Sequence, residues 1–101
     1  MAKKSAIHRE KKRQRLVAQH AEKRAALLKI TRDPEAGLED KYEAYRAISK
    51  MPRDACAARL HNRCSITGRP QAFYRRFGVS RLVFRRLAHA GALPGVRKSS
   101  W

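Results

Sequence analysis

KSAIHREKKRQRLVAQHAEKRAALLKI, residues 4–30, contains neither glycine nor proline and is mostly Lys, Arg, Gln, Glu, Ala and Leu, which are strong helix formers. It predicts one long helix from about Lys4 to Ile30. The apolar stripe is thin: Val17, Ala21, Ala25 and Leu28 fall at i, i+4, i+8 and i+11 on one face. Around that stripe stand Lys11, Lys12, Arg13, Arg15, Arg24 and Lys29. Residues 1–30 carry ten basic and two acidic side chains, too few acids to neutralise the helix surface, so contact with phosphate is favoured over a merely solvated face.

Asp33 stands before Pro34, and a residue preceding proline is pushed out of the α region, which ends the helix. Asp33 is also placed to cap the next helix, with Pro34 at its first helical position. This second helix is predicted from Leu38 to Lys50, with Leu38, Tyr42, Tyr45 and Ile48 on one face and Pro52 stopping it. That face is expected to pack on the first helix or on a neighbouring protein. No chemistry is assigned to it.

From Pro52 to Gly78 the periodicity is lost, and six arginines, Arg53, Arg59, Arg63, Arg69, Arg75 and Arg76, are spread through a loop-rich stretch punctuated by Gly68 and Pro70. Phe73 and Tyr74 suggest a strand of a short β-hairpin. Ten of the eleven basic residues after position 50 are arginine, and a planar guanidinium offers paired donors to phosphate as well as a stacking face. Arginine interleaved with Phe73, Tyr74 and Phe77 is the pattern expected where unstacked RNA bases rest on flat side chains; Phe77 itself, beside Gly78, reads better as local core. Ser80 is a good N-cap for a third helix from Arg81 to about Ala90, ending at Gly91. Val83, Leu87 and Ala90 form its apolar side, and Arg81 and Arg85 project together. The tail after Pro94 and Gly95 is short and basic and ends in Trp101.

The fold class is therefore mainly α, extended and non-globular, within a single domain over residues 1–101. It comprises a basic helical arm (1–32), a helix (33–51), and a loop, helix and tail region (52–101). Leu, Ile, Val and Phe make up only 19 of 101 residues, under the roughly 20% below which highly charged chains tend to disorder. Such a chain is expected to gain its order on a partner. That partner is a polyanion: 25 Lys and Arg against 8 Asp and Glu give a net charge of +17 and a pI near 11.3, and each neutralised phosphate releases a counterion.

Other classes fit poorly. No stretch has the length of a signal peptide's apolar run or of a membrane span, so the protein is expected to stay in the compartment that makes it. Cys56 and Cys64 are too few for a disulfide framework. The wedge of Val17, Ala21, Ala25 and Leu28 is too small for a membrane-active helix. No acid, base and nucleophile set converges for catalysis. A basic architectural protein for DNA would share the charge but would not need the arginine and aromatic punctuation.

The runs Asn62-Arg63-Cys64-Ser65-Ile66-Thr67-Gly68-Arg69-Pro70, Phe77-Gly78-Val79-Ser80-Arg81, Leu93-Pro94-Gly95 and Lys98-Ser99-Ser100-Trp101 closely resemble one family, the fourteenth protein of the small ribosomal subunit. The resemblance is strong from Pro52 to Trp101 and weaker over the Lys3-Lys4-Ser5 opening. Some members of that family hold zinc in a C-x2-C, twelve-residue, C-x2-C array; the corresponding positions here are Cys64, Thr67, Ser80 and Val83, so the chain resembles the zinc-free, bacterial-type branch, with no metal and no other cofactor. Ala72 stands where such proteins usually carry glycine, which argues against a positive φ there, and Arg86 stands where an acid is common.

The resemblance implies a structural constituent of the small subunit that sits in its head, in ribosomes of the cytoplasm or, alternatively, of an organelle. It would bind 16S-type ribosomal RNA of the 3′ domain, lie beside head proteins three and ten, and support assembly and the shape of the decoding region. It would be present without self-association and without a membrane. By position, RNA contacts carry over to Lys3, Lys4, Lys11, Lys12 and Arg13 in the arm. They also carry over to Arg59, Asn62, Arg63, Arg69, Arg75, Arg76, Arg81 and Arg85 in the loop region and third helix, and to Lys98, Ser99 and Trp101 in the tail.

Overall fold

In the computed structural model, which describes residues 1–100, the chain is mainly helical with one small antiparallel sheet. Three α-helices run in order, α1 (Lys4–Arg32), α2 (Leu38–Ser49) and α3 (Arg81–His89), and two 3₁₀ turns, Arg53–Ala55 and Ala57–Arg59, follow α2. Strands β1 (Phe73–Tyr74) and β2 (Val79–Ser80) pair antiparallel, Phe73 opposite Ser80 and Tyr74 opposite Val79. Contacts divide the chain into two compact units: residues 1–8 with those from 61 onward, and residues 9–60.

The first unit is organised on a small apolar cluster. Cys64, Val79 and Val83 are buried, with Phe77, Phe84 and Leu87 packed against them. Around Cys64 the chain turns sharply: the Cys64 amide donates to the Arg69 carbonyl (3.0 Å), the Gly68 amide to the Cys64 carbonyl (2.8 Å), and the Ser65 amide to the Gly78 carbonyl (3.1 Å). Gly68 makes this turn possible. It adopts φ +73°, a region that costs an L side chain about 1–2 kcal/mol, and a Cβ there would lie 2.6 Å from Ile7 Cδ1. The first turn of α1 therefore closes directly over the Gly68 backbone, and the Ala2 amide donates to the Thr67 carbonyl at 3.0 Å.

Two expectations about this unit need correction. Ala72 does adopt a positive φ of 54°, and its carbonyl accepts from the Arg81 amide at 2.8 Å where β2 passes into α3. Ser80 occupies the N-cap position of α3, but its hydroxyl makes no capping bond. It is buried at 1% exposure in the β1–β2 pairing, without a partner. At the other end of α3 the glycine reading is right: Gly91 has φ +72°, and the Gly91 and Ala92 amides donate to the Ala88 and Leu87 carbonyls, the paired bonds of a Schellman motif.

The second unit is built from α1, α2 and the 3₁₀ turns. On α1 the partly shielded line runs through Leu16, Val17, His20, Arg24, Leu27, Leu28 and Thr31, whereas Ala21 and Ala25 of the expected stripe are exposed. Because that line includes His20 and Arg24, hydropathy alone misplaced it. On α2 the buried residue is Ala44, and Leu38, Tyr42 and Tyr45 of the expected packing face are exposed at 83%, 71% and 59%. Asp33 accepts from the Glu35 amide at 3.0 Å and so caps a turn; the N-cap of α2 is Gly37.

Candidate nucleic-acid interface

All eight acidic residues of the chain lie between positions 10 and 54, so the first unit contains eleven Lys and Arg and no Asp or Glu. No side-chain acid exists there to neutralise them. Lys3, Lys4, Arg75, Arg76, Arg81, Arg85, Lys98 and the neutral Asn62 and Ser99 are exposed. Arg76 lies over the Phe77 ring, 5.8 Å from its centroid, a cation–π contact that holds the guanidinium beside the hairpin turn. Trp101 falls outside the described residues.

Arg63 and Arg69 are placed differently. Both are partly buried; Arg63 donates through Nη1 to the Gly68 carbonyl at 3.0 Å, and the Nε of each is buried with no partner. Arg63 thus braces the 64–69 turn through its guanidinium, whereas Arg69 shapes it through its backbone carbonyl, which accepts from the Cys64 amide.

Of the sites in the second unit, Lys11 and Lys12 are exposed, but Arg13 and Arg59 converge on one carboxylate. Arg13 Nε lies 3.3 Å from Asp54 Oδ1 and Arg59 Nη1 lies 2.9 Å from the same oxygen; Arg13 also pairs with the buried Glu10 at 3.6 Å. This network fastens the 3₁₀ turns to α1, so these two arginines do structural work that spacing did not reveal. Asp54, the one acid after position 50, was the available signal.

Within the first unit Arg81 and Arg85 share a groove with Tyr74, Leu82, Arg97 and Lys98, with a volume of about 430 Å³. Tyr74 packs edge-on to Phe84, centroids 5.1 Å apart at 83°, and Phe84 lies 4.9 Å from Phe77 at 46°. A chain of three rings thus ties the groove to the core. Tyr74 belongs to the aromatic set that the sequence pattern marked for base stacking, whereas Arg97 was not singled out; the neighbouring Lys98 was the cue.

The four positions corresponding to a zinc array do come together, around the Cys64 sulfur. Burial pushes the Cys64 thiol up, but hydrogen bonds from the Thr67 hydroxyl and from the backbone of Thr67, Ser80 and Ile66 outweigh it, bringing it from 9.0 to about 6. One thiol, two hydroxyls and the Val83 isopropyl group cannot supply the four nitrogen or sulfur donors of a structural zinc site, so the donor set does not fit that metal. Apolar packing of Val79 and Val83 against Cys64 occupies the space instead.

Residues 47–100 match the family described as ribosomal protein S14p/S29e. Full-length similarity is high as well. The chain is 54% identical to the small ribosomal subunit protein uS14 of Ruegeria pomeroyi and 54% identical to that of Gloeothece citriformis, each over 101 residues covering all of both chains. It is 52% identical, again over both full lengths, to uS14A of Mycobacterium ulcerans. With its acid-free, arginine-rich first unit and this similarity along its whole length, the chain belongs to the uS14 family of small-subunit ribosomal proteins.

Proposed function

We propose that this protein is a structural constituent of the small ribosomal subunit that binds 16S-type ribosomal RNA of the 3′ domain in the head, supporting assembly and the conformation of the decoding region. The observation that carries the reading is the first unit's charge: eleven cations and no side-chain acid, with Arg75, Arg76, Arg81 and Arg85 exposed on rigid hairpin and helix positions. A polyanion is the one partner class that neutralises such a surface, and arginine forks suit phosphate. Its role is architectural. Head proteins three and ten are its protein neighbours on this reading, which the exposed Leu38, Tyr42 and Tyr45 of α2 can serve. It acts as a single copy, in the zinc-free form, without catalysis.

Replacing Arg75 and Arg76 with Ala tests this reading. Affinity for a 3′-domain RNA fragment should fall, and the log–log salt slope should shrink by roughly 0.7–0.9 for each lost contact. Replacing Glu39 and Glu43 with Gln should leave the slope alone. Equal effects of the two pairs would mean that the charge acts as a diffuse cloud.

A further inference from the structure

The groove between Tyr74 and α3 is not explained by charge alone. Tyr74 and Leu82 are exposed at 45% and 51% in a chain whose buried apolar side chains, among the described residues, are only Ala44, Ala55, Cys64, Val79 and Val83. Phe84 holds the Tyr74 ring edge-to-face and is itself held by Phe77 against the core, so the ring is set in place before any ligand arrives. Arg81 and Arg85, one turn apart on α3, line it together with Arg97 and Lys98; no acid lines the groove, and none of these four cations has an ion-pair partner among the described residues. At about 430 Å³ it falls within the roughly 300–1,000 Å³ of small-ligand sites.

We infer that this groove seats a single unstacked nucleotide of the bound RNA, its base against the Tyr74 ring and the flanking phosphates on Arg81 and Arg85. The inference rests on the RNA-binding reading and adds to it the class of RNA feature that is read. A paired duplex keeps its base faces covered and presents only backbone to the protein, which would leave the apolar floor of Tyr74 and Leu82 facing water; a base splayed from a bulge or loop offers an open π-face to an aromatic ring. An acidic peptide would satisfy the cations but would bring no flat surface to a preset ring.

The test uses the full chain and two hairpin RNAs of equal length, one fully paired and one carrying a single bulged 2-aminopurine. The wild-type protein should bind the bulged hairpin about tenfold more tightly and quench the 2-aminopurine fluorescence, since stacking of a base on an aromatic ring is worth about 1–3 kcal/mol. Tyr74→Phe should keep both effects. Tyr74→Leu should abolish the preference and the quenching while leaving affinity for the paired hairpin, and hence the general RNA reading, unchanged. Equal binding of the two hairpins by the wild type, or a preference that survives Tyr74→Leu, would overturn the nucleotide seat while RNA binding itself stands. Failure to bind either hairpin would overturn both readings, and stronger displacement of the bulged RNA by a polyglutamate peptide than by an unstructured oligonucleotide would make the groove a protein-docking site instead.

Discussion

The two units of this protein use the same residue types in opposite ways. Residues 9–60 hold every acid in the chain, tie Arg13 and Arg59 to Asp54, and leave Tyr42 and Tyr45 in solvent. The other unit has no acid, leaves Arg75, Arg76, Arg81 and Arg85 without ion-pair partners among the described residues, and gathers Tyr74, Phe77 and Phe84 into a run of touching rings. Arg13 and Arg59 thus fasten structure where a carboxylate is present, whereas Arg75, Arg76, Arg81 and Arg85 of the acid-free unit stay exposed. Composition summed over the whole chain hides this difference, and a charge of +17 says nothing of which cations are already committed.

The contrast is sharpest at two glycines. Gly68→Ala forces a side chain into φ +73° and against Ile7, combining about 1–2 kcal/mol of left-handed strain with about 1–3 of overpacking. Gly37, at the start of α2, has φ −61° and would meet only Asp40 Oδ2 at 3.5 Å; Gly37→Ser should change stability by less than about 0.5 kcal/mol. Where folding is coupled to RNA binding, about 3 kcal/mol in the first unit reads as a loss of on the order of 100-fold in apparent affinity. Adding Ile7→Ala to Gly68→Ala should recover part of that loss, a coupling that a double-mutant cycle measures. If both glycine substitutions were equally harmless, the claim that the first unit depends on a close backbone fit would fail.

A second way to separate the units is by pH. Because the folded Cys64 thiol is held at about 6 against an ordinary 9.0, the unfolded chain binds more protons between those values. The thiol's contribution to the stability of the first unit therefore rises with pH across that window and is lost as pH falls through about 6. The thermal midpoint of the RNA-bound protein should climb from pH 6 to 9, and the climb should be smaller in Cys64→Ser, which keeps the histidines but removes the titrating thiol. Identical pH profiles would show that the hydrogen bonds around the sulfur do not favour the thiolate.

Much of this architecture is legible in sequence, for identifiable reasons. α1, α2 and α3 follow from long runs of helix formers between Pro34, Pro52 and Gly91, which are local signals. The Phe73–Tyr74 strand and the core role of Phe77 follow from short-range pattern. What escapes is decided by contacts distant along the chain: the Asp54 pairs with Arg13 span 41 residues, and the need for Gly68 comes from Ile7. The Ser80 hydroxyl fails to cap because strand pairing buries it first. The α2 face misleads because the helix buries the small Ala44 while the larger Leu38, Tyr42 and Tyr45 stay exposed.

Ala72 offers a smaller test. Its backbone is left-handed, with its carbonyl accepting from the Arg81 amide, and such strain costs an L residue about 1–3 kcal/mol. Glycine relieves that strain but adds about 0.5–1 kcal/mol of unfolded-state freedom, so Ala72→Gly should raise stability by about 1 kcal/mol, measured as a gain of several-fold in apparent RNA affinity. Destabilisation would mean that the Ala72 methyl group makes packing contacts that outweigh its backbone.

The smallest effect is expected on the opposite unit, and it is informative because it is small. Leu38 and Tyr42 lie one turn apart on α2 and are almost wholly in solvent, next to Glu39, Asp40 and Glu43, the most acidic stretch of the chain. A surface of that sign repels phosphate, and solvent-exposed apolar side chains contribute little to folding, so surface substitutions there fall within about 0.5 kcal/mol. Leu38→Ser combined with Tyr42→Ser should therefore leave affinity for 3′-domain RNA within about a factor of two, with an unchanged salt slope. The same variant should lose competition against wild type for incorporation into subunits, because apolar groups flanked by acids suit a basic protein neighbour better than RNA. A loss of RNA affinity comparable to that of Arg75→Ala with Arg76→Ala would erase the division of labour between the units and make α2 part of the RNA surface.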